Sequence, residues 1–207
     1  NVADGATTVT MTVESEKDLT SVADGSLTEE QKKLCERKSR LAELEKLIKN
    51  WHDKLDSFIA ETPDADINHT INMWGLYNCL ITFAWSRAAS LVYNGERDGL
   101  GYRDSVQDIL GVSAAIPETA EERMFRMLSG QVASGGAIPV IKTEHNPGHE
   151  KAPSEEEFRS DDCLWFFNAV PAFIAESGKF ELYNKVVPYA DCGEATVYGH
   201  LKQALSF

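Results

Sequence analysis

The 207-residue sequence has little cysteine, little proline and a shortage of positive charge. Its four cysteines, Cys35, Cys79, Cys163 and Cys192, stand far apart with no Cys-x-x-Cys spacing. That spacing argues against a zinc ribbon or a thioredoxin-like redox motif, and reduced thiols point to a cytoplasmic setting. Twenty Lys and Arg face thirty-three Asp and Glu, a net charge of −13, which opposes binding to nucleic acid or to an anionic membrane surface. No uninterrupted apolar run is long enough to span a membrane: Asn72, Asn78, Thr82, Ser86 and Arg87 break the most apolar stretch. A basic leader running into an apolar segment is missing, as is an initiator Met. No Gly-x-Ser-x-Gly elbow, P-loop or dinucleotide fingerprint occurs.

What is present is enough apolar material, 43% of residues, for a globular core. Residues 6–13 alternate small polar and apolar side chains, many of them β-branched, the pattern of one half-buried strand. A capping box at Thr28–Gln31 then opens a 3–4-residue apolar repeat from Leu34 to Ile59, which predicts a long amphipathic helix or helix pair ended by Thr62-Pro63-Asp64. From Ile71 to Trp85 apolar side chains cover every side of a helix, so this helix is expected to be buried all round. Further helices are expected from Val106 to Ile116, after a capping box at Thr119–Glu122, from Ser160 to Ser177, and from Ala195 to Leu205. The pattern fits helical hairpins packed in a ring or bundle.

Three polar clusters stand out. Residues 96–105 combine Arg97, Arg103 and Asp104 with Gly95, Gly99 and Gly101, so the loop can turn guanidinium and carboxylate groups inward. Such pairs suit sugar hydroxyls, which both donate and accept; equally, Asp104 could cap a helix while the arginines pair on the surface. Asp161 and Asp162 precede Leu164, Trp165 and Phe166. They suit either a sugar site beside an aromatic row or a helix N-terminus capped by Ser160. His145, His149 and Glu150 lie close in sequence, but a Pro-Gly turn between the histidines supplies neither the further ligands nor the frame of a zinc site.

Three segments in order, Asn72–Ser90, Gly99–Gly111 (Gly-Leu-Gly-Tyr-Arg-Asp-Ser-Val-Gln-Asp-Ile-Leu-Gly) and Ser160–Trp165 (Ser-Asp-Asp-Cys-Leu-Trp), resemble glycoside hydrolase family 94, the inverting β-glycoside phosphorylases. The resemblance implies a mainly α chain: the end of an N-terminal β-sandwich (1–25), a helical linker (26–62) and the N-terminal part of an (α/α)6 barrel (63–207). Its partners would be a β-linked di- or oligosaccharide and inorganic phosphate, with no nucleic acid, membrane, metal or cofactor; members are often homodimers. Arg97, Arg103 and Asp104 would bind the transferred sugar. The general acid would lie in a Trp-Asn-Asp stretch, which this sequence does not contain, so no catalytic residue is assigned within it. A hydrolase on a similar helical barrel, or a non-catalytic helical carbohydrate-binding module, are the alternatives. The 207 residues alone, given β-linked disaccharide and phosphate, are expected to form no sugar 1-phosphate; turnover detected by enzymatic assay would contradict the reading of the chain as part of a longer enzyme.

Overall fold

A computed structural model describes residues 37–86 and 99–207, and these described residues fall in two units divided between Asp53 and Lys54. The expected strand at 6–13 and the capping box at Thr28 lie outside the described residues. Helix α1, Arg37–Leu55, carries the apolar repeat, and Leu41, Leu44, Leu47 and Ile48 form an exposed stripe along it. It ends seven residues before the expected stop, where the chain turns at Asp56 and Ser57. Ser57 N–H donates to Lys54 O (3.3 Å), closing the last turn.

In the second unit, Asp64 caps α2 (Ala65–His69) by accepting from the N–H groups of Asp66 and Ile67, satisfying donors that the first turn leaves open. A π-helical turn, Thr70–Gly75, leads into α3, Leu76–Trp85. This stretch differs from the expectation of burial on all sides. Only Leu80 and Phe83 of α3 are buried, whereas Met73, Trp74 and Trp85 are 43–58% exposed. The reason is one-sided packing: α3 meets helix α4 (Tyr102–Leu110), and Phe83 lies under the Arg123 guanidinium, 4.3 Å from ring centroid to Cζ. The wider π-turn also shifts the face on which its apolar residues emerge.

Among the described residues, most of the core comes from four helices that present apolar stripes at helical spacing. They are α4 with Tyr102, Val106 and Ile109; α5 (Pro117–Leu128) with Ala120, Met124, Met127 and Leu128; α6 (Phe166–Ser177) with Phe166, Val170 and Phe173; and α7 (Val197–Ser206) with Val197 and Leu201. Helix α5 begins at Pro117, not at Thr119, because proline at the first helical position has no N–H to leave unsatisfied. Helix α6 stops at Gly178, whose φ of 71° makes the left-handed cap that glycine adopts freely. The expected mainly helical architecture holds for the described residues.

Two short antiparallel pairs accompany the helices. Strand β1 (Leu100–Gly101) pairs with β2 (Val140–Ile141), with Leu100 opposite Ile141, and β3 (Val186–Pro188) pairs with β4 (Glu194–Thr196). Buried Gln131 braces α7, which His200 in turn ties to β3: Gln131 Nε2 donates to Gly135 O (3.0 Å) and His200 O (3.2 Å). Its Oε1 lies 2.7 Å from His200 Nδ1, and His200 Nε2 reaches Val187 O at 3.0 Å.

Packing around Tyr102 leaves no room at Gly130, where an added Cβ would sit 2.6 Å from Ile141 Cδ1 and 2.9 Å from Tyr102 Cε2. Gly130→Ala should therefore destabilise the protein by about 1–3 kcal/mol, the usual range for overpacking. Thermal unfolding followed by circular dichroism checks this, and an unchanged midpoint would show that the space beneath Tyr102 yields.

Candidate functional site

The site is organised by the first turn of α4. Tyr102 is fully buried; its N–H donates to Pro139 O (3.1 Å), and its ring meets Phe166 edge-on at 6.0 Å. Cys163 Sγ donates to Tyr102 Oη (3.7 Å), and burial pushes the Cys163 thiol pKa up to about 12, so it stays a protonated donor. With Tyr102 fixed, Arg103 and Asp104 emerge as the second and third residues of the helix, both half-buried. A carboxylate in a first helical turn is favoured by the aligned peptide dipoles. Arg97 lies outside the described residues.

Arg103 reaches across 58 positions of sequence. Its Nη1 donates to Asp161 Oδ2 at 3.1 Å and to Oδ1 at 3.4 Å, and Trp165 Nε1 donates to the same Oδ2 at 3.4 Å. The Arg103 hydrogen bond holds the Asp161 carboxyl below its usual range, and Asp161 in turn raises the guanidinium. Asp104 lies within electrostatic reach of both Arg103 and Asp162. The structure thus joins two of the sequence clusters at one place. The pairing left no local mark in the sequence beyond Asp161 and Trp165 standing four residues apart.

Asp161 and Asp162 do not occupy the first turn of a helix capped by Ser160, as the sequence suggested. They lie in the turn before a 3-10 segment, Cys163–Trp165, and α6 starts only at Phe166. The two carboxylates diverge, as adjacent side chains do. Asp161 is 42% exposed on its side chain and engages Arg103, while Asp162 is 1% exposed with Oδ1 unpartnered among the described residues. Burial pushes the Asp162 pKa up to about 6; nearby Arg159 opposes this and Asp161 reinforces it.

The unfolded carboxyl ionises near pH ~3.9. Between that pH and about 6 the folded state holds its proton more tightly, so stability from this group is lost as pH rises through the window and stays reduced above it. Asp162→Asn removes the ionisation. Its melting temperature should exceed that of the parent at pH 7, by the equivalent of about 1–3 kcal/mol, and the gap should close near pH ~4. Thermal melts at the two pH values test this, and equal stabilisation at both would contradict it.

The third cluster forms a clamp. His145 Nδ1 donates to Glu150 Oε1 (3.0 Å), and His145 Nε2 lies 3.1 Å from Ser129 Oγ. Glu150 also accepts from Asn146 N–H (3.0 Å), which with His145 holds its carboxyl below the usual range. The order Ser, His, Glu resembles a nucleophilic relay, but Ser129 is 6% exposed and its hydroxyl donates back to Arg126 O (2.8 Å). The arrangement secures the 142–151 loop to the end of α5. His149 is exposed, and no group of three metal-ligating side chains occurs among the described residues. A cavity of about 590 Å3 opens beside this loop, lined by Val140, Lys142, His145, Glu150 and Lys151 among others.

A family model described as "Glycosyl hydrolase 94 superfamily, catalytic domain" matches residues 50–207. The chain is 33% identical over 177 residues to N,N'-diacetylchitobiose phosphorylase of Vibrio proteolyticus, covering 76% of this chain and 22% of that protein. It is 28% identical over 152 residues to solabiose phosphorylase of Paenibacillus borealis, covering 73% and 17%. It is 27% identical over 158 residues to 3-O-beta-D-glucopyranosyl-beta-D-glucuronide phosphorylase of the same organism, covering 76% and 19%. The chain therefore spans about a fifth of the length of the curated relatives it matches. With the Gly99–Gly111 and Ser160–Trp165 segments meeting at the Arg103–Asp161 pair, and three quarters of its residues matched, the chain belongs to the glycoside hydrolase 94 catalytic-domain family.

Proposed function

We propose that the chain is part of an inverting β-glycoside phosphorylase. It would supply the end of a β-sandwich (1–25), a helical linker (26–62) and the first half of an (α/α)6 barrel (63–207). The observation that carries this reading is the placement of Arg103 and Asp104 at one end of α4, joined to the Asp161 turn, in a chain of this family. Three of its relatives are named as phosphorylases.

In the proposed reaction, inorganic phosphate attacks the anomeric carbon of a β-linked sugar from the face opposite the leaving oxygen. The C–O bond to the second sugar breaks, and a carboxylic acid outside this chain protonates the departing oxygen. The products are an α-sugar 1-phosphate and the shorter sugar. Phosphate is already an anionic nucleophile, so the second carboxylate that an inverting hydrolase uses to activate water has no task here. Arg97, Arg103 and Asp104 hold hydroxyls of the transferred sugar, the guanidinium groups donating and the carboxylate accepting. The proposed setting is cytoplasmic, on the absence of any Cys-x-x-Cys or paired-cysteine pattern.

The complete protein, incubated with phosphate and a panel of β-linked glucobioses and N,N'-diacetylchitobiose, should release an α-sugar 1-phosphate, identified from its anomeric proton by NMR. Asp104→Ala should lower kcat/KM by about 100-fold or more, the scale of losing a group that orients a substrate. Release of free reducing sugar without sugar 1-phosphate would replace the reading with hydrolysis. Sugar binding without turnover, with Asp104 uninvolved, would replace it with a carbohydrate-binding module.

A further inference from the structure

The Arg103–Asp161 pair contributes little to the stability of the fold. Its side chains are 39% and 42% exposed, and ion pairs so open to water contribute little to stability. Yet it links the start of α4 to the turn before α6, and it does so with a carboxylate held from two sides. Arg103 Nη1 donates to both Asp161 oxygens, and Trp165 Nε1 donates to one of them. Trp165 is four residues from Asp161 and belongs to the 3-10 segment that continues into α6. The acceptor is thereby tied to a rigid element rather than to a free loop.

A guanidinium carries five N–H donors in a planar fork. Asp161 engages it through Nη1, which anchors one corner of the fork and leaves Nη2 and Nε to donate elsewhere. The neighbouring carboxylate could not do this, because Asp162 is turned into the interior and is 1% exposed. Asp104, next in sequence to Arg103, shares the same helical turn.

We propose that Asp161 is a positioning residue for the transferred-sugar subsite: its carboxylate, braced by the Trp165 indole, holds the Arg103 guanidinium in the one orientation from which Arg103 and Asp104 together meet the sugar hydroxyls. The proposal rests on the reading of Arg103 and Asp104 as that subsite. It assigns Asp161 no contact with the sugar and no proton transfer.

The test compares the complete protein with Asp161→Asn, Asp161→Glu and Trp165→Phe, using whichever disaccharide of the panel the parent binds best. In Asp161→Asn the KM for the disaccharide should rise about tenfold while the KM for phosphate stays within about twofold, the split expected when only sugar contacts are disturbed. The melting temperature should stay within about 2 °C, because an exposed pair contributes little to the fold. Asp161→Glu should recover part of the sugar KM, and Trp165→Phe should raise it in the same direction by a smaller factor. Adding Asp161→Asn to Arg103→Ala should cost nothing further, since the two act through one group.

An unchanged sugar KM in Asp161→Asn, or equal losses for sugar and phosphate, would overturn the proposal. Calorimetric titration of the disaccharide without phosphate separates the two levels. A parent that binds sugar without forming sugar 1-phosphate refutes phosphorolysis, and a tenfold weaker Kd in Asp161→Asn then still supports the positioning role. A parent that turns over sugar with Asp161→Asn unaltered refutes positioning alone. A parent that neither binds nor converts any sugar of the panel overturns both.

Discussion

Burial of the Tyr102 ring is the constraint around which the described site is arranged. The ring fills the space between Gly130, Ile141 and Phe166, and its own N–H is spent on Pro139 O. That backbone bond extends the two-residue β1–β2 ladder into the first turn of α4. Gly99, with φ of 100°, lets the chain approach Ile141 where a side chain would strike its carbonyl. Because Tyr102 cannot rotate away, Arg103 and Asp104 leave the helix in fixed directions. Large aromatic side chains contribute most to a core, and here that burial also sets the geometry of the polar residues beside it.

The same locality separates two adjacent carboxylates into different roles. Asp161 remains partly in water, gains an Arg partner and stays ionised; Asp162 is drawn inside with an oxygen lacking a partner among the described residues and resists ionisation. Exposure explains why the first can be altered at little cost to folding, whereas the second stands as a pH-dependent burden on it. Stability and site geometry therefore depend on neighbouring residues without being carried by the same one.

Helices whose apolar residues recur at helical spacing were legible in the sequence. Val106 and Ile109 mark α4, Met124 and Leu128 mark α5, and Gly178 ends α6 where expected. The site residues Arg103 and Asp104 were legible as a dense polar cluster beside glycines and through family resemblance. Three features were not. The contact from Arg103 to Asp161 joins positions 58 apart, and no local periodicity encodes it. His145, His149 and Glu150 read as one cluster, but a serine sixteen residues earlier completes the clamp and His149 stays outside. The apolar residues from Ile71 to Trp85 have the composition of a helix buried all round, but the described residues pack against one side of it. Composition reports how much surface a segment seeks to bury, whereas its partners decide how much is buried.

A crystal structure of the complete protein with a β-linked disaccharide bound tests the account most directly. It should place one sugar ring in hydrogen-bond reach of Asp104 and of Arg103, with Asp161 still on the guanidinium and Tyr102 unmoved beneath. A sugar bound away from α4, or an Arg103 that leaves Asp161 to reach its ligand, would contradict it.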